Sequence, residues 1–170
     1  MSDSLQLRKA TEADIEILFR WANDKAVREN SFDPHTISFD EHIAWFNRMM
    51  SDPNKAQYIL VMNGEPIGQI QLSINGAEAE AGYSISEAVR GCGYGRELIR
   101  LAIKQVKTDY PSVVKLIGKV KPSNVASYYC FLKNGFEETY RQLEYDLSRS
   151  GNVEFELSDQ NIRKHLGKKV

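Results

Sequence analysis

At 170 residues, with 42% hydrophobic and 26% charged side chains, the chain has the size and composition of one globular domain. Its formal net charge of −1 provides no basic surface for nucleic acid or for an anionic membrane. The two cysteines, Cys92 and Cys130, lack metal-ligand spacing, and no run approaches the ~20 apolar residues of a membrane span. We therefore expect a soluble, cytoplasmic protein without a metal, a nucleic-acid partner or a membrane segment.

The first third of the chain predicts one strand and two helices. Leu5 and Leu7 alternate with polar neighbours, as in a short strand. Thr11 begins a helix that ends near Asn23 and has an apolar inner face of Ile15, Leu18, Phe19 and Ala22. Residues 28–37 are polar, contain a proline and predict a loop.

A capping box at Ser38 and Glu41 opens the second helix, which stops before Pro53. Its inner side is predicted to consist of Ile43, Phe46, Met49 and Met50.

Two Asn-Gly dipeptides divide the middle of the chain into three predicted antiparallel strands. Asn63-Gly64 and Asn75-Gly76 separate the apolar runs 56–62, 65–74 and 77–86. Asn-Gly favours tight hairpins because both turn positions adopt positive φ. A longer helix follows and is predicted to end near Asp109, before Pro111.

The last third predicts a strand, a short helix and two more strands. Residues 113–120 are β-rich, and Asn124 caps a helix that closes at Gly135. Strands are predicted over 136–147 and 153–157, with a tail over 158–170. The pattern indicates a single mixed α/β domain over residues 1–170, with its core over about 5–157.

A glycine-rich turn joins the third middle strand to the long helix. It contains Arg90, Gly91, Gly93 and Gly95. Glycines let the backbone approach a ligand closely, and the N–H groups at a helix start attract phosphate. The motif alone is weak, because it lacks the spacing of a dinucleotide fingerprint and the lysine of a P-loop. A tight turn without a ligand is the plain alternative.

A second motif downstream indicates the kind of protein to which the glycine turn belongs. Arg90-x-x-Gly93-x-Gly95, followed by Asn124 and by Gly135-Phe136, resembles the signature of the GCN5-related N-acetyltransferase superfamily. The resemblance implies a twisted, mostly antiparallel sheet of about seven strands with about four helices. It also implies that the fourth and fifth strands splay apart, so that a ligand can pair with a free strand edge.

The resemblance further implies that acetyl-CoA is the acetyl donor. Ile85 and its neighbours would bind the pantetheine arm and polarise the thioester carbonyl. Asn124 and Phe131 would contact the pantetheine region, and Lys133 would reach the CoA phosphates. The backbone N–H groups that would hold the pyrophosphate belong to Arg90, Gly91, Cys92, Gly93, Tyr94, Gly95 and Arg96.

For catalysis, the resemblance assigns Glu80 as a base that acts through water. The family's usual acid is a tyrosine seven residues after the asparagine, but here that position is Phe131. We expect Tyr129 to protonate the thiolate instead, with Tyr128, Ser127, water or no protonation as alternatives. The plain alternatives are an exposed strand residue for Glu80 and a packing role for Tyr129.

The acceptor residues are expected in the first third of the chain. That region contains Trp21-x-Asn23-Asp24, Val27-Arg28, Ser31-Phe32 and His42-x-x-Trp45-Phe46. This combination resembles acetyltransferases of nucleotide-linked amino sugars, of the pseudaminic acid pathway type. The implied contacts are Trp21, Asn23, Arg28, His42 and Trp45, which could stack on a sugar and bind hydroxyls or a diphosphate. Trp21 could equally be a core residue, Asn23 a helix end and His42 an exposed helix residue.

Two other functions stay open at this point. One is an acetyltransferase for protein N-termini, of the ribosomal-protein type, and the other is a non-catalytic acyl-CoA-binding module. The resemblance also leaves a homodimer open.

Overall fold

The computed structural model describes residues 4–140, and this range contains five strands and five α-helices. The strands are β1 (Leu5–Lys9), β2 (Lys55–Met62), β3 (Glu65–Asn75), β4 (Glu78–Ile85) and β5 (Lys115–Gly118). The helices are α1 (Ile15–Ala22), α2 (Lys25–Asn30), α3 (Phe39–Ser51), α4 (Tyr94–Asp109) and α5 (Val125–Leu132). Single 3₁₀ turns at Glu12–Asp14 and Glu87–Val89 precede α1 and the glycine turn.

The strands form one sheet in the order β1-β2-β3-β4-β5. Successive strands pair antiparallel except β4 and β5, which are parallel. The predicted mixed α/β fold with a mostly antiparallel sheet is therefore confirmed. Of the two further predicted strands, residues 136–140 are not in a strand, and the rest lies outside the described residues.

β4 and β5 separate halfway along β4. They pair only from Glu78↔Lys115 to Ala81↔Gly118. Beyond that point β4 continues to Ile85 but pairs only with β3 within residues 4–140. The predicted splay between the fourth and fifth strands is present, and among the described residues it leaves one edge of β4 free of strand pairing.

The two hairpins use different turns. Asn63 and Gly64 have φ values of 51° and 92°, as a type I′ turn requires. At the second hairpin Asn75 still pairs with Glu78, so the loop is Gly76-Ala77 and only Gly76 has positive φ, at 59°. This is the pattern of a type II′ turn. Both hairpins were predicted correctly, but the second loop lies one residue further along.

Helix α2 was not predicted, and residues 28–30, interpreted as loop, belong to it. Asp24 caps it by accepting a hydrogen bond from the Val27 N–H at 3.1 Å. From the sequence we interpret Asn23-Asp24 as part of an acceptor motif or as the end of α1, but an aspartate followed by helix-forming residues is also a typical helix start.

Helix α3 begins at the predicted capping box. Ser38 accepts from the Glu41 N–H, and the Glu41 carboxylate accepts from the Ser38 N–H at 2.7 Å. Its buried residues are His42, Phe46 and Met49. Met50, predicted to face inward, is 49% exposed because the i, i+4, i+7 stripe from His42 turns it outward.

Apolar residues cover both faces of the sheet. On one face Tyr58, Ile70 and Ala81 pack with Leu98 and Ala102 of α4. On the other face Ile59 and Val61 pack with side chains of α1 and α3, namely Leu18, Phe46 and Met49. Burying each large apolar side chain contributes roughly 1.5–3 kcal/mol, so both helix layers are held mainly by this burial.

The chain divides into two compact units, Met1–Glu137 and Glu138–Val170. Every strand and helix given above belongs to the first unit. Of the second, only residues 138–140 are among those described, so a single domain over 1–170 stays a prediction.

Candidate active site

The glycine turn presents backbone N–H groups at the start of α4. Gly91 and Gly93 have φ values of 79° and 88°, in the left-handed region that favours glycine. A Cβ at either position would have no heavy atom within 4 Å, so this side of the turn is open. Within residues 4–140, the N–H groups of Gly91, Cys92 and Gly93 make no backbone hydrogen bond. The turn can therefore donate to an anion at the positive end of the α4 dipole.

The side chain of Arg90 points into the protein. Its Nε donates to the Ile85 carbonyl at 3.0 Å, and its Nη2 donates to Asp24 Oδ1 at 2.7 Å. Desolvation disfavours the charge on Asp24, but hydrogen bonds from Arg90 and Val27 outweigh it and lower the pKa of the Asp24 carboxyl. Arg96, in contrast, is exposed in the first turn of α4. Of these two arginines, Arg96 is better placed to meet a phosphate.

Phe131 lies against the point where β4 and β5 separate. It is only 7% exposed, and a Cβ at Gly118 would lie 2.5 Å from its Cζ atom. Its ring packs edge-on against Tyr83 and Phe136, with centroids 5.7 and 4.8 Å apart. The side chain at the family's acid position is therefore a packing residue on β5.

The second motif fixes both ends of α5. Asn124 Oδ1 accepts from the Ser127 N–H at 3.2 Å and caps the start. Gly135 has φ of 85°, and the Phe136 N–H donates to the Phe131 carbonyl at 3.2 Å. Together with the contact between the Phe131 and Phe136 rings, this is a Schellman motif. The motif residues thus fix the ends of the helix that carries Phe131. A contact between Asn124 and the pantetheine stays a prediction.

Tyr83 is a site residue that the sequence did not single out. It lies on the splayed half of β4 and points at Gly95, where a Cβ would be 3.5 Å from its hydroxyl. Burial raises the pKa of Tyr83 well above its usual value, and its hydroxyl also interacts with Ser127 and Cys130. The sequence pattern that could have identified Tyr83 is its alternation with Ala81 and Ile85, the neighbouring β4 residues that face the same core.

The predicted acid, Tyr129, is on the outside of α5. Its side chain is 54% exposed, and its ring packs edge-on against Tyr128 at 5.8 Å. Lys133, just after α5, is also exposed. Both side chains are accessible, and their roles stay predictions.

Glu80 forms an ion pair on the paired half of β4. Its Oε2 lies 2.7 Å from Lys119 Nζ, with side-chain exposures of 47% and 61%. Its register partner on β3 is Ser73, which accepts a hydrogen bond from Lys55 Nζ at 2.7 Å. Directly paired residues share one face of a sheet, so Glu80 lies in a polar row with Ser73 and Lys55.

Asn23 and Arg28 hold the loop between α2 and α3. The Asn23 side chain donates to the Ile37 carbonyl and accepts from the Ile37 N–H, both at 2.9 Å. Arg28 Nη1 donates to the carbonyls of Asp33 and His35, both at 3.2 Å. These side chains are engaged in shaping the segment, and binding of an acceptor by either one stays a prediction.

His42 is buried between α1 and α3, whereas the resemblance implied an acceptor contact and the plain alternative was an exposed helix residue. It is 2% exposed, and its Nε2 lies 3.0 Å from the Ile15 carbonyl, to which it donates. Burial lowers the pKa of its imidazole. We no longer count His42 among the acceptor contacts, because its ring is enclosed by the protein.

Trp45 lines a cleft between α3 and the sheet. Its ring is half-buried and stacks on His42 with centroids 5.4 Å apart. The cleft has a volume of about 320 Å³ and is lined by Trp45, Arg48, Met49, Asp52, Lys55, Gln71, Leu72 and Ser73. Trp21 instead packs half-buried against the apolar cluster of α1 and α3. Of the five predicted acceptor residues, only Trp45 lines this cleft.

Two negative findings apply to residues 4–140. No group of three or more His, Cys, Asp or Glu side chains in this range could hold a metal ion. No helix in the same range is long and apolar enough to cross a membrane.

The splayed sheet, the glycine turn and the capped helix are the features that the resemblance to the N-acetyltransferase superfamily implies. The family model described as the acetyltransferase (GNAT) domain matches residues 4–137. The chain belongs to this family.

Similar proteins include acetyltransferases of small amines. Aminoglycoside N(6′)-acetyltransferase type 1 of Klebsiella pneumoniae is 26% identical over 152 residues, covering 80% of this chain and 75% of that protein. A solved aminoglycoside acetyltransferase in complex with ribostamycin and coenzyme A is 25% identical, with a TM-score of 0.71 over 81% of this chain and 85% of that one. Spermidine N-acetyltransferase of Vibrio cholerae, in complex with CoA and spermine, shares the fold at 24% identity, with a TM-score of 0.75 over 83% and 85% of the two chains.

The protein is therefore an acetyl-CoA-dependent N-acetyltransferase of the GNAT type. The predicted donor and the predicted enzyme class are confirmed, and the non-catalytic acyl-CoA-binding module is set aside.

Proposed function

We propose that the acceptor is the primary amine of a nucleotide-linked amino sugar. The amine would attack the thioester of acetyl-CoA directly, in a ternary complex. The observation that supports this most is the cleft at Trp45, which combines an aromatic wall with more cationic than anionic side chains.

The composition of the cleft suits a sugar that carries a diphosphate. Trp45 offers a ring face on which a sugar or a base can stack. Arg48 and Lys55 line the same cleft, and Asp52 is its one carboxylate. Two cations favour phosphate oxygens and disfavour a polycation such as spermidine.

The cleft lies beside the point where β4 and β5 separate. Gln71 lines it, and Gln71 is the register partner of Gly82, the first residue of β4 beyond the β5 pairing. The two residues are in contact, because a Cβ at Gly82 would lie 3.5 Å from Gln71 Nε2. An acceptor in the cleft would therefore be next to the free edge of β4, where the pantetheine arm is proposed to pair.

The donor side follows from the turn and the free edge. Acetyl-CoA supplies the acetyl group in activated form, as a thioester. The N–H groups of Gly91, Cys92 and Gly93 would bind its pyrophosphate, with Arg96 and Lys133 nearby. The backbone from Gly82 to Ile85 would hold the pantetheine and polarise the carbonyl.

Two proton movements complete the reaction. Glu80 would accept the proton of the acceptor ammonium through water, since its carboxylate is half-exposed on the face that Ser73 shares with the cleft. Tyr129 would protonate the departing thiolate, and Tyr83 is the second candidate because it lies on the splayed half of β4 and points at Gly95 in the first turn of α4. Loss of kcat in Tyr129→Phe but not in Tyr83→Phe would support Tyr129, and the reverse would support Tyr83.

The acceptor assignment is tested by following free thiol with acetyl-CoA and a panel of amines. The panel contains a UDP-linked amino sugar, an aminoglycoside, spermidine, and peptides that begin with alanine or serine. We expect the highest kcat/KM with the UDP-linked sugar and none with its N-acetylated form, which serves as the control. A higher kcat/KM with the peptides would instead support the protein N-terminal acetyltransferase.

An aminoglycoside is the second candidate acceptor, because the Klebsiella pneumoniae relative is named for that activity. It too presents amines on sugar rings, but it is a polycation. Arg48→Glu and Lys55→Glu would therefore raise kcat/KM for an aminoglycoside and lower it for the UDP-linked sugar. The opposite changes would argue against the cleft as the acceptor site.

A further inference from the structure

We propose that Asp24 and Arg90 are positioning residues that couple the donor turn to α2, so that binding of CoA stabilises α2. This inference rests on the proposed binding of the donor at the glycine turn. It adds that the donor and the segment between α1 and α3 are linked energetically.

Helix α2 depends on contacts at its ends. It has six residues, and none of them is buried. A helix this short is marginal on its own, because nucleation is unfavourable and few internal hydrogen bonds offset it. Small changes in its end contacts therefore change how often it opens.

Asp24 holds the first end of α2. Its Oδ1 accepts from the Val27 N–H at 3.1 Å and from Arg90 Nη2 at 2.7 Å. The side chains of Asp24 and Arg90 are 17% and 32% exposed, so the pair is screened less than a surface ion pair. The cap of α2 is thus bonded directly to the first residue of the glycine motif.

Lys121 holds the other end. Its Nζ donates to the Glu29 carbonyl at 3.0 Å. Lys121 lies between β5 and α5, whereas Arg90 follows β4 and also bonds the Ile85 carbonyl. Helix α2 is therefore tied to both sides of the gap between β4 and β5.

These ties give a route from the donor turn to the segment between α1 and α3. A ligand that bonds the turn and fills the gap restrains Arg90 and the segment around Lys121, which removes freedom from both ends of α2. Arg28 then extends the effect, because it bonds the carbonyls of Asp33 and His35 in the loop before α3. A ligand that stabilises α2 therefore also restrains the backbone of residues 33–35.

The test is amide hydrogen exchange of the whole protein with and without CoA. In the wild type we expect CoA to slow exchange about fivefold or more in residues 91–97 and also in α2. Asp24→Asn removes the charge but retains a residue that caps well. In this variant, CoA should still slow residues 91–97 but should slow α2 much less than in the wild type, because only the tie through Lys121 remains.

The matched control is Glu29→Gln. It also removes one carboxylate associated with α2, but that side chain is 64% exposed and, within the described residues, pairs only with Lys25 at 3.9 Å. CoA should protect α2 in this variant as in the wild type.

Three outcomes would overturn the inference. Protection of α2 in Asp24→Asn that equals the wild-type protection would mean that Asp24 and Arg90 do not couple the donor turn to α2. Protection of residues 91–97 without protection of α2 in the wild type would show that no coupling exists. No protection of residues 91–97 would instead show that the proposed donor site itself is wrong, and the inference would fail with it.

Discussion

Asp14 and His42 are polar side chains that the protein encloses almost completely, at 4% and 2% exposure. Each has a defined partner. The Asp14 carboxylate accepts from both terminal nitrogens of Arg8 at 2.7 Å and from the Thr11 N–H at 2.8 Å. His42 donates to the Ile15 carbonyl. Since buried polar groups are costly when unpaired, both residues are expected to control stability rather than catalysis.

Replacing Asp14 by alanine should lower the free energy of unfolding at neutral pH by about 2 kcal/mol, because Arg8 and the Thr11 N–H lose their acceptor. The hydrogen bond from Arg8 holds the pKa of Asp14 below its usual value. The ionised carboxylate therefore stabilises the fold above its unfolded pKa, and this contribution is lost as pH falls. Urea unfolding should show the two proteins converging in acid, whereas a constant difference would contradict the ion pair.

His42 should make stability depend on pH in the range where an ordinary histidine titrates. Its folded pKa is lowered from 6.5, so its contribution is fully present above about that pH and is lost as pH falls towards the folded pKa. Thermal unfolding between about pH 8 and pH 5 should show a steeper fall in Tm for the wild type than for His42→Gln. Glutamine can still donate to Ile15 but does not titrate. Parallel curves for the two proteins would contradict this role.

At the scale of elements, two glycines position α5 and the glycine turn. One leaves space that a larger residue would fill, and the other adopts a backbone conformation that other residues resist. Gly118 provides the space that Phe131 fills. Gly93 provides the left-handed N-cap of α4. A methyl group at Gly118 would therefore disturb side-chain packing, whereas a methyl group at Gly93 would disturb the backbone conformation.

Gly118→Ala should destabilise the protein by roughly 1–3 kcal/mol, because the new Cβ would lie 2.5 Å from Phe131 Cζ and force the ring or β5 to move. Gly82→Ala on the neighbouring strand is the control, since its Cβ would make an ordinary 3.5 Å contact with Gln71. Denaturant unfolding compares the two. Equal stability of both variants would show that Phe131 is not held against Gly118.

Gly93→Ala should weaken CoA binding about tenfold, because a residue with a Cβ resists the φ of 88° and turns the N–H groups away from the pyrophosphate. Gly64→Ala is the matched control variant. Gly64 has φ of 92° and equally open surroundings, but it lies in the β2–β3 hairpin. Calorimetric titration with CoA should show an unchanged Kd for Gly64→Ala. The same loss in both variants would point to general destabilisation.

For the whole molecule, local signals in the sequence were enough to predict most of the framework. The two Asn-Gly pairs, the capping box at Ser38 and the glycine closing α5 act over a few residues, and the structure has the turn or cap at each place. Helix α2 was missed because its local start signal, Asp24, also fits the end of α1, and because its ties to Arg90 and Lys121 join residues that are distant in sequence. Such contacts leave no periodic pattern.

The acetyl-CoA donor was predictable from the sequence, whereas the surroundings of the proposed acceptor residues were not. The glycine turn and the splayed strands depend on a compact motif. In contrast, the burial of His42 and the access of Trp45 to a cleft depend on how α1, α3 and the sheet pack together. Tyr83 was overlooked for the same reason, since its contacts with Phe131 and the start of α4 join residues far apart in the chain.

The most direct test of the proposed acceptor compares one amino sugar with and without its linked nucleotide. If Arg48 and Lys55 bind the diphosphate while Trp45 stacks on a ring, removing the nucleotide should lower kcat/KM at least about tenfold, mainly by raising KM. In the double variant Arg48→Gln/Lys55→Gln the two acceptors should become nearly equivalent. A wild-type enzyme that acetylates both sugars with the same kcat/KM would contradict the proposal that the nucleotide is recognised.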